Sequence, residues 1–296
     1  MSVQTIEATK APSANASAIK FWNTVLFDKF SRFEWVLTSG LREHGDVMLR
    51  RYPPRPGAHV LEIGCGFGDM TRQLIEAAGP LGRVAAMDAA WRFVEATAQA
   101  NGESSRTRFF TADAQSDALG GPFDLVVSRF STMFFASPVA ALRNMRRSLR
   151  PEGELRMVVW RKREDNAWLH VAERCVERVL GPAPVTSDAV TCGPGPFSMA
   201  SADVVSDQRI AAGFSAPRFD RVDTEICVGR SLEEAIDFAL TLGPAGERMR
   251  LDGALARRRE GEVREALRAC FSPYLRNGEV WMPSSTWIVR ATNAGS

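Results

Sequence analysis

The chain has little that would tie it to a metal, a membrane or a disulfide framework. Its 296 residues include five cysteines, Cys65, Cys175, Cys192, Cys227 and Cys270. The number is odd, the spacings are long and no Cys-x-x-Cys occurs. Reduced thiols in a cytoplasmic protein are expected, with no structural zinc. The three histidines, His44, His59 and His170, stand in no cluster with metal-ligand spacing, so no metal is expected. No apolar run approaches the length that spans a bilayer, so no membrane partner is expected. Residues 1–18 are rich in Ala, Ser and Thr, lack the apolar core of a secretory signal and read as a disordered tail. Charge of one sign is also lacking: 37 basic against 35 acidic residues leave +2, which by itself implies neither a nucleic-acid nor a membrane partner. There is no internal repeat, and no Gly-Lys-Ser/Thr to complete a P-loop.

What is present is a core of ordinary size, since hydrophobic residues make up 45% of the chain. Residues 19–51 read as helical, with Ile19, Trp22, Leu26 and Phe30, then Phe33, Val36 and Leu37, at helical spacing. The proline-rich stretch 52–57 reads as a linker. Strands then alternate with helices: strand 59–63, helix 69–78, strand 83–88, helix 91–101, strand 107–112, strand 123–128, helix 138–149 and strand 154–160. Such alternation gives a parallel sheet covered on both faces by helices. Beyond Trp160 the spacing predicts helices at 164–180 and 204–213, a loop at 181–197, a strand at 219–228, a helical stretch at 231–275 and a last strand near 285–291.

Residues 60–68 read Val-Leu-Glu-Ile-Gly-Cys-Gly-Phe-Gly. A short apolar strand runs into three glycines, and a helix begins near Asp69. Glycine takes positive φ and lets a ligand sit against the backbone, so a glycine-rich turn between strand and helix is a nucleotide cradle. A plain tight turn is the bland alternative. Glu62 lies inside the strand, and Asp88 ends the next apolar strand. A dinucleotide fingerprint, Gly-x-Gly-x-x-Gly, needs two residues before its last glycine, whereas Phe67 alone separates Gly66 from Gly68.

Together these residues resemble the class I S-adenosylmethionine-dependent methyltransferases, whose first motif has the form Glu/Asp-x-Gly-x-Gly-x-Gly. The stretches Ser128-Arg129-Phe130 through Ala136, Leu149 to Gly153 and Trp160-Arg161 look like small-molecule members near the quinone-biosynthesis group. Trp91, Arg92 and Glu152 depart from that group, which more often has small or aliphatic residues at the first two and Gly at the third. The resemblance implies a Rossmann-like α/β fold: a seven-stranded, mostly parallel sheet closed by an antiparallel C-terminal strand pair, with a helical lid. It divides the chain into the tail at 1–18, lid helices at 19–56, a cofactor-binding core at 57–160, and cap helices with the final strands at 161–296. It implies S-adenosyl-L-methionine as cofactor, in contact with Glu62, Gly64, Cys65, Gly66, Gly68, Asp88, Ala89, Asp113, Ala114 and Ser128. Asp88 would accept from both ribose hydroxyls; its bland reading is a helix N-cap. Asp113 would accept from the adenine amino group while Ala114 reads the ring edge; its bland reading is a turn-starting Asp.

The fourth strand ends in Val-Ser-Arg-Phe and not in the Asn/Asp-Pro-Pro-Tyr/Phe of enzymes acting on amines of DNA bases. Met133, Phe134 and Phe135 suit a hydrophobic acceptor or simple core packing. In-line methyl transfer needs chiefly alignment, with a general base for a phenol or alcohol. His44 and His170 lie in segments that commonly form the lid and are the candidate bases. His59 begins the first strand, at the far end of the sheet. Arg143, Arg146, Arg147 and Arg150 share a helix face, and Arg257 to Arg259 form a second basic group. A solvated surface is preferred over RNA binding for both. The expected function is methyl transfer to a small apolar or aromatic acceptor, at O or C. The alternatives are an RNA or protein methyltransferase and a non-catalytic cofactor-binding protein. Oligomeric state is not legible.

Overall fold

The computed structural model describes residues 15–182 and 194–295. Most of the expected tail, most of the 181–197 loop and Cys192 lie outside the described residues. The described chain opens with three α-helices, α1 (Ala16–Phe21), α2 (Phe27–Arg32) and α3 (Arg42–Arg51), separated by π-helical turns at Trp22–Leu26 and Val36–Gly40. The second turn ends on Gly40 because that backbone presses on a strand distant in sequence: a Cβ there would stand 2.1 Å from the carbonyl oxygen of Cys227.

The alternating stretch follows as β1 (His59–Ile63), α4 (Asp69–Ala78), β2 (Arg83–Asp88), α5 (Trp91–Asn101), β3 (Thr107–Thr111), β4 (Phe123–Arg129), α6 (Pro138–Ser148) and β5 (Leu149–Trp160). The chain continues as α7 (Ala167–Leu180), α8 (Ala202–Ala211), β6 (Arg218–Gly229), α9 (Leu232–Thr241), α10 (Gly243–Asp252), α11 (Ala254–Arg258) and α12 (Glu260–Phe271), closed by the hairpin β7 (Leu275–Arg276) and β8 (Glu279–Thr292).

The main sheet runs β3-β2-β1-β4-β5-β8-β6, with the two-residue β7 paired to β8. The pairs among β1 to β5 are parallel, and β8 lies antiparallel between β5 and β6. The expected seven-stranded Rossmann-like sheet with its antiparallel C-terminal pair is therefore present. Val60, Leu61 and Ile63 of β1 are fully buried, as both faces of a central parallel strand require. The core divides among a large cluster that includes α6, α7 and α9, a smaller one between α3 and α4 that includes Met48, Met70 and Val127, and a third of Phe67, Ala90 and Phe93. Strand order reverses between β1 and β4, and ligands of open α/β sheets bind at such a switch point, beyond the strands' carboxyl ends.

Two strand starts differ from expectation by five residues or more. β5 begins at Leu149, not 154, because Leu149 pairs with Phe123 and the Glu152 amide bonds to Asn293 O at 2.9 Å. Glu152 holds φ 62°. β8 begins at Glu279 and runs through Pro283. Pairing with β5 stops at Thr286, so the proline sits where only β6 flanks the strand. Two of the cysteines correct the expectation of reduced thiols: Cys175 on α7 and Cys270 on α12 form a disulfide. Their sequence separation of 95 gave no signal of it. Arg178 donates to both sulfurs at 3.0 Å. Cys65 and Cys227 are free and buried.

Candidate functional site

The glycine turn hangs from β2: the Gly64 and Cys65 amides donate to Met87 O at 2.8 and 3.0 Å. Gly64, Gly66 and Gly68 have φ of 74°, 54° and 81°, the left-handed region that favours glycine. Their surroundings separate their roles. A Cβ on Gly64 would stand 2.2 Å from Ser131 Oγ, and one on Gly68 would stand 2.4 Å from Asn101 Nδ2. These two are glycine for close packing. A Cβ on Gly66 would meet nothing within 4 Å, so this residue presents bare backbone to open space. From α5, Thr97 Oγ1 donates to Gly66 O at 2.7 Å and Asn101 Nδ2 to Gly68 O at 3.0 Å. These two polar anchors were invisible in the sequence, since nothing local marks a helix side chain as a partner of a turn thirty residues away.

Asp88 lies under the turn. Its Oδ1 accepts from the Ala90 amide at 2.9 Å and its Oδ2 from the Gly66 amide at 3.4 Å. Burial pushes its pKa up to about 6. Glu62 is 2% exposed, accepts from Thr71 Oγ1, and is pushed by burial up to about 8. At neutral pH the turn therefore carries an ionised Asp88 above a largely protonated Glu62. Glu62 and the Cys65 side chain lie beneath the turn and not in it; burial also pushes the Cys65 thiol up. Ala89 follows Asp88 at the same rim, half-buried.

Asp113 is 6% exposed just beyond β3. Its Oδ1 accepts from the Gln115 amide at 3.0 Å and Gln115 Nε2 at 3.2 Å, and its Oδ2 from Asn15 Nδ2 at 3.5 Å. The turn-starting geometry is thus present at Asp113. Ala114 is buried, and its carbonyl accepts from Asn144 Nδ2 at 3.0 Å. Ser128 is fully buried, with no hydrogen-bond partner for its hydroxyl. Gly66, Asp88 and Asp113 thus share the carboxyl edge of β1, β2 and β3.

The rim beyond β4 is aromatic. Phe130 holds φ 61°, an outlier for a bulky side chain and the kind of strain that clusters at functional sites. Its ring stacks on Trp160 at 4.1 Å, and Trp160 contacts Trp168 at 5.2 Å. Across the glycine turn, Phe27 packs 6.0 Å from Phe67 and 4.9 Å from Phe93, while Trp22 lies 5.2 Å from Phe134. Arg92 fastens this N-terminal segment: it donates to Asn23 O at 3.3 Å and Asp28 Oδ1 at 2.8 Å, with its guanidinium 3.9 Å from the Phe27 ring.

The candidate bases part company. His44 is fully buried, with Nε2 2.8 Å from Ser284 Oγ and Nδ1 2.9 Å from Thr286 Oγ1. Burial, reinforced by the Arg129 charge, lowers its pKa to about 3. Both ring nitrogens are occupied and the imidazole stays neutral, so as placed His44 is a strut of the fold and a poor base. His170 is half-buried on α7, and its Nδ1 has no partner. His59 lies at the opposite end of β1, 4.5 Å from the Phe123 ring.

Arg143 donates to Ala211 O, Arg150 pairs with Asp124 and Arg259 with Glu262, so these members of the basic groups serve internal contacts. Among the described residues no group of His, Cys, Asp and Glu could hold a metal, and no helix is long and apolar enough to cross a membrane. Two surface depressions, one lined by Asp46 and Gln73 and one by Asp165 and Asp223, include no residue of the glycine turn.

Residues 60–153 match a family described as a methyltransferase domain. The chain is similar to the nocamycin O-methyltransferase of Saccharothrix syringae, with 32% identity over 111 residues that cover 36% of this chain and 40% of that one. It is also similar to the malonyl-(acyl-carrier protein) O-methyltransferase of Magnetococcus marinus, with 34% identity over 104 residues, 35% of this chain and 37% of the relative. The chain thus spans well under half the length of the curated relatives it matches. Among solved structures, the YcgJ protein of Bacillus subtilis superimposes with a TM-score of 0.56 at 17% identity, over 86% of this chain and 100% of that one, and so shares the fold.

Proposed function

We propose, on the premise that residues 60–153 are a class I S-adenosylmethionine-dependent methyltransferase domain, that the protein methylates a small apolar or aromatic acceptor at oxygen or carbon. The observation that carries this is Gly66, whose bare backbone faces open space directly beside the ionised Asp88.

The residues fit the cofactor. A carboxylate offers about four lone-pair sites, so Asp88 keeps capacity for two ribose hydroxyls after accepting two backbone amides. Asp113 and Ala114 stand at the next strand end, where an adenine edge would lie. When bound, S-adenosylmethionine supplies an activated methyl group on a sulfonium. What the chain must then add is alignment of the acceptor and exclusion of water. Phe130, backed by the buried Trp160, and the half-buried Phe134 would supply apolar surface for that purpose, and the segment of α1 and α2 would close over it as a lid.

His170 remains the candidate base, because its free Nδ1 contrasts with the occupied ring of His44. The apolar loop at Met133 to Phe135 and the two relatives named as O-methyltransferases support an O-methylated small molecule. Internal engagement of Arg143, Arg150 and Arg259 weighs against RNA. The test is formation of S-adenosylhomocysteine from S-adenosylmethionine over a panel of phenols and small carboxylic acids. Turnover that appears only with RNA or protein, or with no acceptor at all, would transfer the assignment to the corresponding alternative.

A further inference from the structure

α8 turns an inward stripe toward the sheet, in which Val205 and Ala212 are buried. Arg209 stands in that stripe, four residues after Val205, and is fully buried. Its Nη2 donates to the thioether sulfur of Met157 on β5 at 2.9 Å. Nε and Nη1 are buried and have no acceptor. Ser128 of β4 is the register partner of Met157 in a parallel pair and so shares its face of the sheet. The Ser128 hydroxyl is fully buried and also lacks a partner.

No opposite charge comes from the neighbouring elements. Across the seam, α6 has no acidic residue and brings two more arginines to the end of α8. Arg143 donates to Ala211 O, and a Cβ on Gly213 would stand 3.1 Å from Arg146 Nη1. Arg146 Nε is buried without an acceptor as well. On α8 itself, Asp203 and Asp207 are exposed on the outer face. Burial lowers the Arg209 pKa to about 9 with no acid to offset it, so the guanidinium is still charged at neutral pH. An uncompensated buried ion is strongly destabilising. A water molecule satisfies the free N–H groups but leaves the charge, whereas an anion answers both. The charge is single and the packing around it is apolar, with Val205, Met157 and Phe214 in one core cluster. That favours a small monovalent ion over phosphate or an organic acid.

We propose that Arg209 binds a chloride-sized inorganic anion between α8 and the β4–β5 pair. Its Nε and Nη1 groups are the donors, and the Ser128 hydroxyl lies on the same face of the sheet as a further one. The ion neutralises the charge that α8 carries into the core. The site is independent of the methyltransferase reading.

The test is urea unfolding at neutral pH while sodium chloride replaces sodium gluconate at constant ionic strength. Surface ion pairs then feel the same screening throughout, and gluconate is too large for an enclosed site. Once one site is saturated, the unfolding constant of the wild type should fall about tenfold for each tenfold rise in chloride. In Arg209→Met that dependence should vanish. The variant should fold, because replacing a buried ion by a hydrophobic residue of similar size is often neutral or stabilising; circular dichroism checks this. Wild-type crystals soaked in bromide give a second reading, an anomalous peak in contact with Arg209, which decides the matter if the variant does not fold. A wild-type unfolding constant indifferent to chloride overturns the proposal. So does an equal chloride dependence in the variant, or bromide found only at other sites.

Discussion

Glu62→Gln isolates one buried charge and has a sign that can be worked out in advance. The carboxyl is 2% exposed, bonded by Thr71, and shifted by burial from 4.5 to about 8. A carboxyl whose folded pKa is raised contributes stability that is fully present below its unfolded pKa and is lost as pH rises through the folded value. The loss therefore runs from about pH 4.5 to about pH 8. One pKa unit corresponds to about 1.4 kcal/mol, so between roughly pH 5 and pH 8 the wild-type protein should lose about 3–4 kcal/mol through this group. Glutamine has nearly the same shape, can accept from Thr71 and does not ionise. Its extra donor adds a constant offset that does not depend on pH. Urea unfolding of both proteins near pH 5, 6.5 and 8 gives the difference curve, in which every other titrating group cancels. The variant should gain on the wild type by about 3–4 kcal/mol across that range. A flat difference would mean that Glu62 ionises normally, and the account of a neutral support beneath a charged Asp88 would be wrong.

Asp88→Ala should weaken S-adenosylhomocysteine by about 1.5–3 kcal/mol, and wild-type affinity should fall as pH drops through about 6, where the acceptor carboxylate is lost; a pH-independent affinity refutes the ribose role. Cys270→Ser should cost about 2–4 kcal/mol under oxidising conditions, because the bridge closes a sequence separation of 95. Adding reductant should bring the wild type to the same level, and peptide mapping that finds both thiols free in the purified protein contradicts the bridge. Removing residues 1–40 should abolish turnover while cofactor binding partly survives, since Gly66, Asp88 and Asp113 remain. Full activity in that truncation would show that α1 and α2 do not act as a lid.

The alternating core was legible because it is written locally. Val60 to Ile63, the three glycines and the period of α4 and α5 each lie within one short window, and their order alone gives the parallel sheet. The contacts that decide chemistry are not local. His44 reads as a free helical histidine until β8, 240 residues away, supplies hydroxyls to both ring nitrogens. The pair Arg129 and Asp69 bridges 60 residues, and the strain at Phe130 belongs to a backbone angle that no composition encodes. That β8 reaches back through Pro283 is visible only from the pairing, which ends with β5 at Thr286 and leaves β6 alone beside the proline. The three glycines looked equivalent, yet only Gly66 faces open space.

That difference makes Gly66 the most direct test of the central claim. Titration of S-adenosylhomocysteine into the wild-type protein should show one site per chain. Gly66→Val should abolish that binding while circular dichroism and the unfolding midpoint show a sheet still folded, although the positive φ adds local strain. NADH should not bind the wild type. Equal S-adenosylhomocysteine affinity in the two proteins, or tight NADH binding, would contradict the assignment of this turn to S-adenosylmethionine.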